Sequence, residues 1–150
     1  MANAKVGGKG SYSNGAYLEK LDSDRTLAPG DSGRIFLIAS TGAISVTLPD
    51  ISNMSTQEKT AMIGWNAQFI VQSISGGTAT VGCSSGDGNL LFGNMVGSDG
   101  SSSNVGLDAV ADDISITTNC VGGDTVKVLY DGTYYYAHGQ QADNDHITLA

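Results

Sequence analysis

The sequence predicts an all-β domain, an antiparallel β-sandwich or rolled β-barrel of short strands behind a flexible N-terminal arm. Three observations lead there. Charged residues are only 15% of the 150, with just two Glu, while Gly contributes 21. Surface helices rich in Glu, Lys and Arg are therefore not expected. Short β-rich runs recur with turn signals every ~8–12 residues, the spacing of a sandwich or barrel. Finally, no long amphipathic helix is present to carry parallel crossovers between strands.

Residues 1–15 hold Gly, Asn, Ser, Ala and Lys with one Val and one Tyr. They carry too little apolar surface to offset ordering entropy and read as a flexible arm. Residues 16–150 read as a single β domain. Ala16–Leu21 reads as a strand or a single helical turn, and Leu27–Gly33 as a turn cluster of Pro, Asp, Ser and Gly. Arg34–Ala39 and Ala43–Pro49 flank Ser40-Thr41-Gly42 and read as a β-hairpin, with Ile44, Val46 and Leu48 sharing one face. Asp50–Gly64 is a loop with one helical turn centred on Thr56–Met62. Trp65, Ala67, Phe69 and Val71 alternate with polar neighbours, so Trp65–Ile74 is a strand anchored in the core by Trp65 and Phe69.

Thr78–Cys83, Leu90–Gly93 and Ile114–Thr117 are further strand-like runs, and residues 94–104 read as a long exposed loop. Asp131-Gly132 lies between Thr125–Tyr130 and Thr133–Ala137. That pair predicts a two-residue type I′ hairpin, with Tyr134 and Tyr136 on one face and Tyr135 outward. His146–Leu149 reads as a last edge strand.

The formal net charge is −8. Phosphate-rich nucleic acid and anionic lipid repel such a chain, so neither is an expected partner. Residues 1–10, MANAKVGGKG, lack the apolar core of a signal peptide, and no apolar run approaches a membrane-spanning length. Cys83 and Cys120 read as buried thiols, with a bridge between them as the alternative. Two cysteines without a CxxC pair and two histidines make a closed zinc site improbable.

His138 and His146 lie outside the clearest strands and read as surface or interface residues rather than catalytic bases. Asp87-Gly88-Asn89, Asp99-Gly100-Ser101 and Asp112-Asp113 lack the closing Glu of a calcium loop and read as solvated turns. The expectation is therefore no enzyme, no cofactor and no metal.

The order of these pieces resembles a family. Asp31-Ser32-Gly33 is followed by a strand, a Gly turn and Ile44-Ser45-Val46-Thr47-Leu48-Pro49. Later come Gln68-Phe69-Ile70-Val71 and then Gly123-Asp124-Thr125-Val126-Lys127-Val128-Leu129-Tyr130-Asp131-Gly132-Thr133-Tyr134-Tyr135-Tyr136. This is similar to small β-rich virion proteins of tailed bacteriophages, including capsid decoration (cement) proteins and domains of tail fibres. Tyr134 or Tyr135 stands where an aromatic such as Trp is usual.

The resemblance spans residues ~26–137 and implies no catalytic residue. It implies self-association, commonly as a homotrimer, and attachment to the major capsid protein, often through a terminal arm. The expected role is to decorate and stabilise the capsid across neighbouring subunits, on the virion surface, after synthesis in the host cytoplasm. The expected partner-binding residues are Lys5, Val6, Lys9, Tyr12 and Tyr17. The alternative is a tail-fibre or tail-tip receptor- or glycan-binding module that uses loop 94–104 and exposed tyrosines.

Overall fold

The computed structural model describes residues 17–84, 90–97, 102–105 and 111–149. Among them the chain forms twelve strands, a 3-10 turn and one short α-helix. The first strands are β1 (Leu18–Leu21), β2 (Arg25–Thr26), β3 (Arg34–Ser40), β4 (Ile44–Thr47), β5 (Asn66–Ile74) and β6 (Ala79–Gly82). They are followed by β7 (Leu91–Gly97), β8 (Ser102–Val105), β9 (Asp113–Ile116), β10 (Thr125–Tyr130), β11 (Tyr135–Gln141) and β12 (Ile147–Leu149). The helix α1 is Thr56–Ala61. Short edge pieces such as β2, two residues long, carry no alternation to read in the sequence.

Seven strands form one sheet in the order β1-β3-β5-β10-β11-β7-β8, and five form the other in the order β12-β9-β6-β4-β2. Both sheets are mixed, which corrects the antiparallel expectation. From β1 to β6 the chain alternates strictly between the sheets, and each strand pairs in parallel with the one two places earlier. Thus β1 pairs with β3, β3 with β5, β2 with β4, and β4 with β6. A strand of the opposite sheet provides each crossover, so parallel pairing here needs no helix. The expected hairpin between Arg34–Ala39 and Ala43–Pro49 is therefore an arch between sheets. Ser40-Thr41-Gly42 turns the chain across the core instead of folding β4 back onto β3.

The inward faces follow the sequence alternation. Phe36, Ile38, Val46, Leu48, Ala67, Phe69, Val71, Val81, Ile114, Ile116, Val126 and Val128 are buried in one cluster shared by both sheets. Phe36 stacks on Phe69 at 5.4 Å between centroids. A bulge opposite Ile38 and Ala39 shifts the register from Val71 to Ser73. It leaves Gln72 unpaired with β3 and turns Ile74 back inward. Trp65 is buried; its indole N–H donates to the Ala28 carbonyl at 3.2 Å, and its ring meets Tyr135 edge-on at 6.0 Å.

The motifs that carried the resemblance are turn-fixing devices. In the 3-10 turn Pro29–Asp31, Asp31 Oδ2 accepts from the Ala28 amide at 2.8 Å. Gly33, at φ +82, donates its amide to the Asn66 carbonyl at 2.7 Å, tying the turn to β5. Asp31 also belongs to a charge ring. Arg25 and Arg34 each touch Asp31 Oδ1, at 3.1 and 3.2 Å, and each touches Glu19, at 3.0 and 2.6 Å. The ring joins β1, β2, the turn and β3.

At the second motif, β10 and β11 pair from Tyr130↔Tyr135 onward, leaving a four-residue loop, Asp131–Tyr134. Asp131 Oδ1 accepts from the amides of Thr133 and Tyr134 at 2.7 and 2.8 Å. No non-glycine residue has positive φ among the described residues, so Asp131 cannot occupy the first place of a type I′ turn. The two-residue turn is corrected to this wider loop. Tyr135 is fully buried, with its hydroxyl donating to the Pro49 carbonyl at 2.8 Å, while Tyr134 and Tyr136 face outward. That reverses the expected orientation of the tyrosine triplet.

Candidate functional site

Three places merit a chemical reading: the outer face of the seven-stranded sheet, a groove beside α1, and a buried polar cluster near the C-terminus.

On the outer face, the register lines up Leu18, Ile35, Gln68, Lys127, His138 and Asn94 in one row across the sheet. Beside it, Asn66, Leu129, Tyr136 and Phe92 form a second row, and Leu37 and Ile70 lead a third that ends at Val96. Phe92 meets Tyr134 edge-on at 4.8 Å and stacks near Tyr136 at 6.1 Å, making an aromatic shelf. Leu18, Leu129 and Val96 are 50%, 43% and 40% exposed. Apolar and aromatic side chains thus share this face with the polar Asn66, Gln68, Lys127, His138 and Asn94.

Next to the shelf, Gln68, Thr125, Lys127, His138 and Gln140 line a shallow polar furrow of about 260 Å³. His138 Nδ1 lies 2.7 Å from Asn94 Oδ1. His138 sits within β11 on this exposed face. Its surface position was expected; its place in a strand was not. Residues 94–97, expected in a loop, belong to β7, which pairs with β8.

The groove beside α1 has a volume of about 340 Å³ and is lined by Pro29, Met54, Met62, Ile63 and Trp65, with Ser32 and Glu58. Its one ionisable side chain, Glu58, closes a capping box with Ser55. The Ser55 hydroxyl and amide donate to its carboxylate at 2.6 and 2.9 Å and hold its pKa below the usual value. This carboxylate is thus engaged by the cap of α1.

The buried cluster is Cys120, Asp124 and His146. Asp124 Oδ2 accepts from the Val121 amide at 2.9 Å and lies 2.6 Å from His146 Nδ1; Oδ1 accepts from the Ala142 amide at 2.8 Å. The carboxylate thus joins the turn before β10, the end of β11 and the start of β12. The Cys120 thiol donates to the His146 carbonyl at 2.8 Å, and burial first, then the Asp124 charge, pushes its pKa up to about 12. A thiol bonded to a backbone carbonyl and kept protonated is no nucleophile. His146 is 8% exposed, which corrects its expected surface position. Sequence reasoning missed this cluster because His146 is 26 residues from Cys120 and 22 from Asp124 and meets them only in the fold.

Neither cysteine is in a disulfide; Cys120 is buried and Cys83 half-buried. Asp113 lies within β9, where partial burial, and then the neighbouring Asp112, raise its pKa. Asp87–Asn89 and Asp99–Ser101 lie outside the described residues, as do Lys5, Val6, Lys9 and Tyr12. Tyr17, 52% exposed, immediately precedes edge strand β1. No described helix is long and apolar enough to cross a membrane. No protein-family model matches the chain, and no curated protein or solved structure is significantly similar to it.

Proposed function

We propose that this chain is a virion attachment protein of the capsid decoration type, built to bind the major capsid protein across neighbouring subunits and to self-associate, as a homotrimer, on the virion surface. The observation that carries the reading is the apolar and aromatic outer face of the seven-stranded sheet, a surface suited to burial against another protein. Its mechanism is linkage: a protein that binds only the assembled shell stabilises that shell.

Charge distribution adds support. The first sixteen residues hold Lys5 and Lys9 and no carboxylate, while all 15 Asp and Glu lie beyond them. A basic segment next to β1 is suited to an acidic surface, on the shell or on a second copy, with Val6, Tyr12 and Tyr17 as apolar anchors. The motif residues of the resemblance are occupied with turns, and this reading assigns the chain no catalytic step and no cofactor. The test is co-sedimentation of purified protein with mature heads. Wild type is expected to saturate the heads, and Leu129→Glu with Tyr136→Glu is expected to abolish binding without lowering Tm. Equal occupancy by both proteins removes the proposal.

A second reading, a tail-tip glycan-binding module, is favoured by one arrangement. The Phe92–Tyr134–Tyr136 shelf borders a furrow whose Gln68, Lys127, His138 and Gln140 side chains suit sugar hydroxyls. Saturable binding to host cells by the isolated protein, lost in Tyr136→Ala, selects this reading over the first.

A further inference from the structure

Three kinds of metal-ligating side chain converge at one point among the described residues, and the proposed function uses none of them. Cys120, Asp124 and His146 place a thiol, a carboxylate oxygen and an imidazole nitrogen within 4.8 Å of one another, all buried. We propose that these three residues form a binding site for one divalent cation of borderline softness, of the zinc class, which fastens the C-terminal strand to the rest of the fold.

The chemistry of the donors selects the ion. Calcium and magnesium take shells of oxygen, and only one of these ligands is a carboxylate. A mixed sulfur, nitrogen and oxygen set suits zinc, with bonds of about 2.0–2.3 Å. Tetrahedral geometry with such bonds sets donors roughly 3.4–3.7 Å apart. The separations here lie within about an ångström of that range.

The frame around the ligands is already in place. Asp124 Oδ1 is held by the Ala142 amide, leaving Oδ2 as the ligating oxygen, and Asp124 Oδ2 also accepts from the Val121 amide. His146 is positioned by its backbone, whose carbonyl accepts from the Thr117 amide at 2.9 Å beside the β9–β12 pairing. Such outer contacts orient ligands before an ion arrives.

Binding exchanges defined contacts. The ion replaces the thiol proton, which leaves to solvent, and the thiol's hydrogen bond to the His146 carbonyl ends. His146 gives up the Nδ1 proton that bonds Asp124 and takes one from solvent at Nε2, which frees its Nδ1 lone pair for the metal. The His146–Asp124 hydrogen bond opens, three coordination bonds form, and water completes the tetrahedron.

Cobalt(II) titration of the reduced, full-length protein tests this. The expected result is saturation at one equivalent, with a sulfur-to-cobalt charge-transfer band and tetrahedral d–d bands that zinc abolishes. Cys120→Ser retains a hydroxyl donor for the His146 carbonyl and is expected to lose the charge-transfer band and to weaken binding at least ~10-fold. Should that variant fold poorly, a cadmium-113 NMR shift on wild type reads the same ligand set without mutation, and one thiolate with nitrogen and oxygen is expected. Absence of a charge-transfer band on wild type up to millimolar cobalt overturns the proposal. So does a band that persists in Cys120→Ser, or a cadmium shift of an all-oxygen site.

Discussion

Asp31 holds two arginines with one oxygen and caps a 3-10 turn with the other, while only 6% exposed. Removing it strands Arg25 and Arg34 with Glu19 alone and leaves the Ala28 amide unpaired. Asp31→Ala is therefore expected to lower unfolding free energy by about 2–3 kcal/mol, discounting the arginines' partial exposure, as measured by urea denaturation. Cys120 makes a different prediction. With its thiol pushed up to about 12, it should resist alkylation at pH 8 in the native protein, while the half-buried Cys83 labels first. Mass spectrometry of the labelled peptides distinguishes them. At this scale the sequence marks Asp31 and Asp124 as turn residues. It does not show that Asp124 reaches Ala142 and His146, because those partners arrive through pairings formed far along the chain.

The β10–β11 ribbon carries the clearest local signal, and its parity was legible. Opposed residues of an antiparallel pair point to the same side, so a buried Tyr130 places Tyr135 inward whether the loop has two residues or four. Counting aromatics on each side of the triplet leads to the opposite orientation; counting from Asp131-Gly132 does not. Loop length was not legible, because the Asx contacts of Asp131 favour a wider turn than its dipeptide alone implies. The Tyr134 and Thr133 amides hold the Asp131 carboxylate below the usual range. A depressed folded-state pKa contributes stability that is present above the unfolded value and lost as pH falls through the folded one. Wild type should thus exceed Asp131→Asn in stability at pH 7, and the gap should close below roughly pH 4 in pH-dependent unfolding. The helix α1 was legible too: Ser55 and Glu58 stand at capping-box spacing, ahead of a segment otherwise read as loop.

For the whole molecule, the alternation of apolar residues made the β class and much of the core readable, including Trp65, Phe69 and the Ile44, Val46 and Leu48 face. Topology was not readable, since the same alternation serves a hairpin strand and a strand that arches to the opposite sheet. The first six strands also lie at irregular spacings, with α1 inserted between β4 and β5, so their coil leaves no period in the sequence. On the proposed function, binding also depends on residues 1–15. Deleting residues 1–15 is expected to weaken capsid attachment while leaving Tm within about a degree, because those residues precede β1 and the described core; calorimetry and head co-sedimentation measure the two effects. Unchanged occupancy on mature heads rules out the arm as an anchor.

The coil has a consequence for the protein during its synthesis. The first six strands emerge before β9 and β10, which later cover β6 in one sheet and β5 in the other. Until they arrive, β5 and β6 are bare edges in addition to β1 and β2, and like edges on neighbouring polysomes can zip together. A fragment ending at residue 84 should accordingly sediment as aggregates at concentrations where the full chain stays dispersed, and supplying residues 111–149 in trans should rescue it. The C-terminal quarter then acts as an intramolecular chaperone for the part made before it.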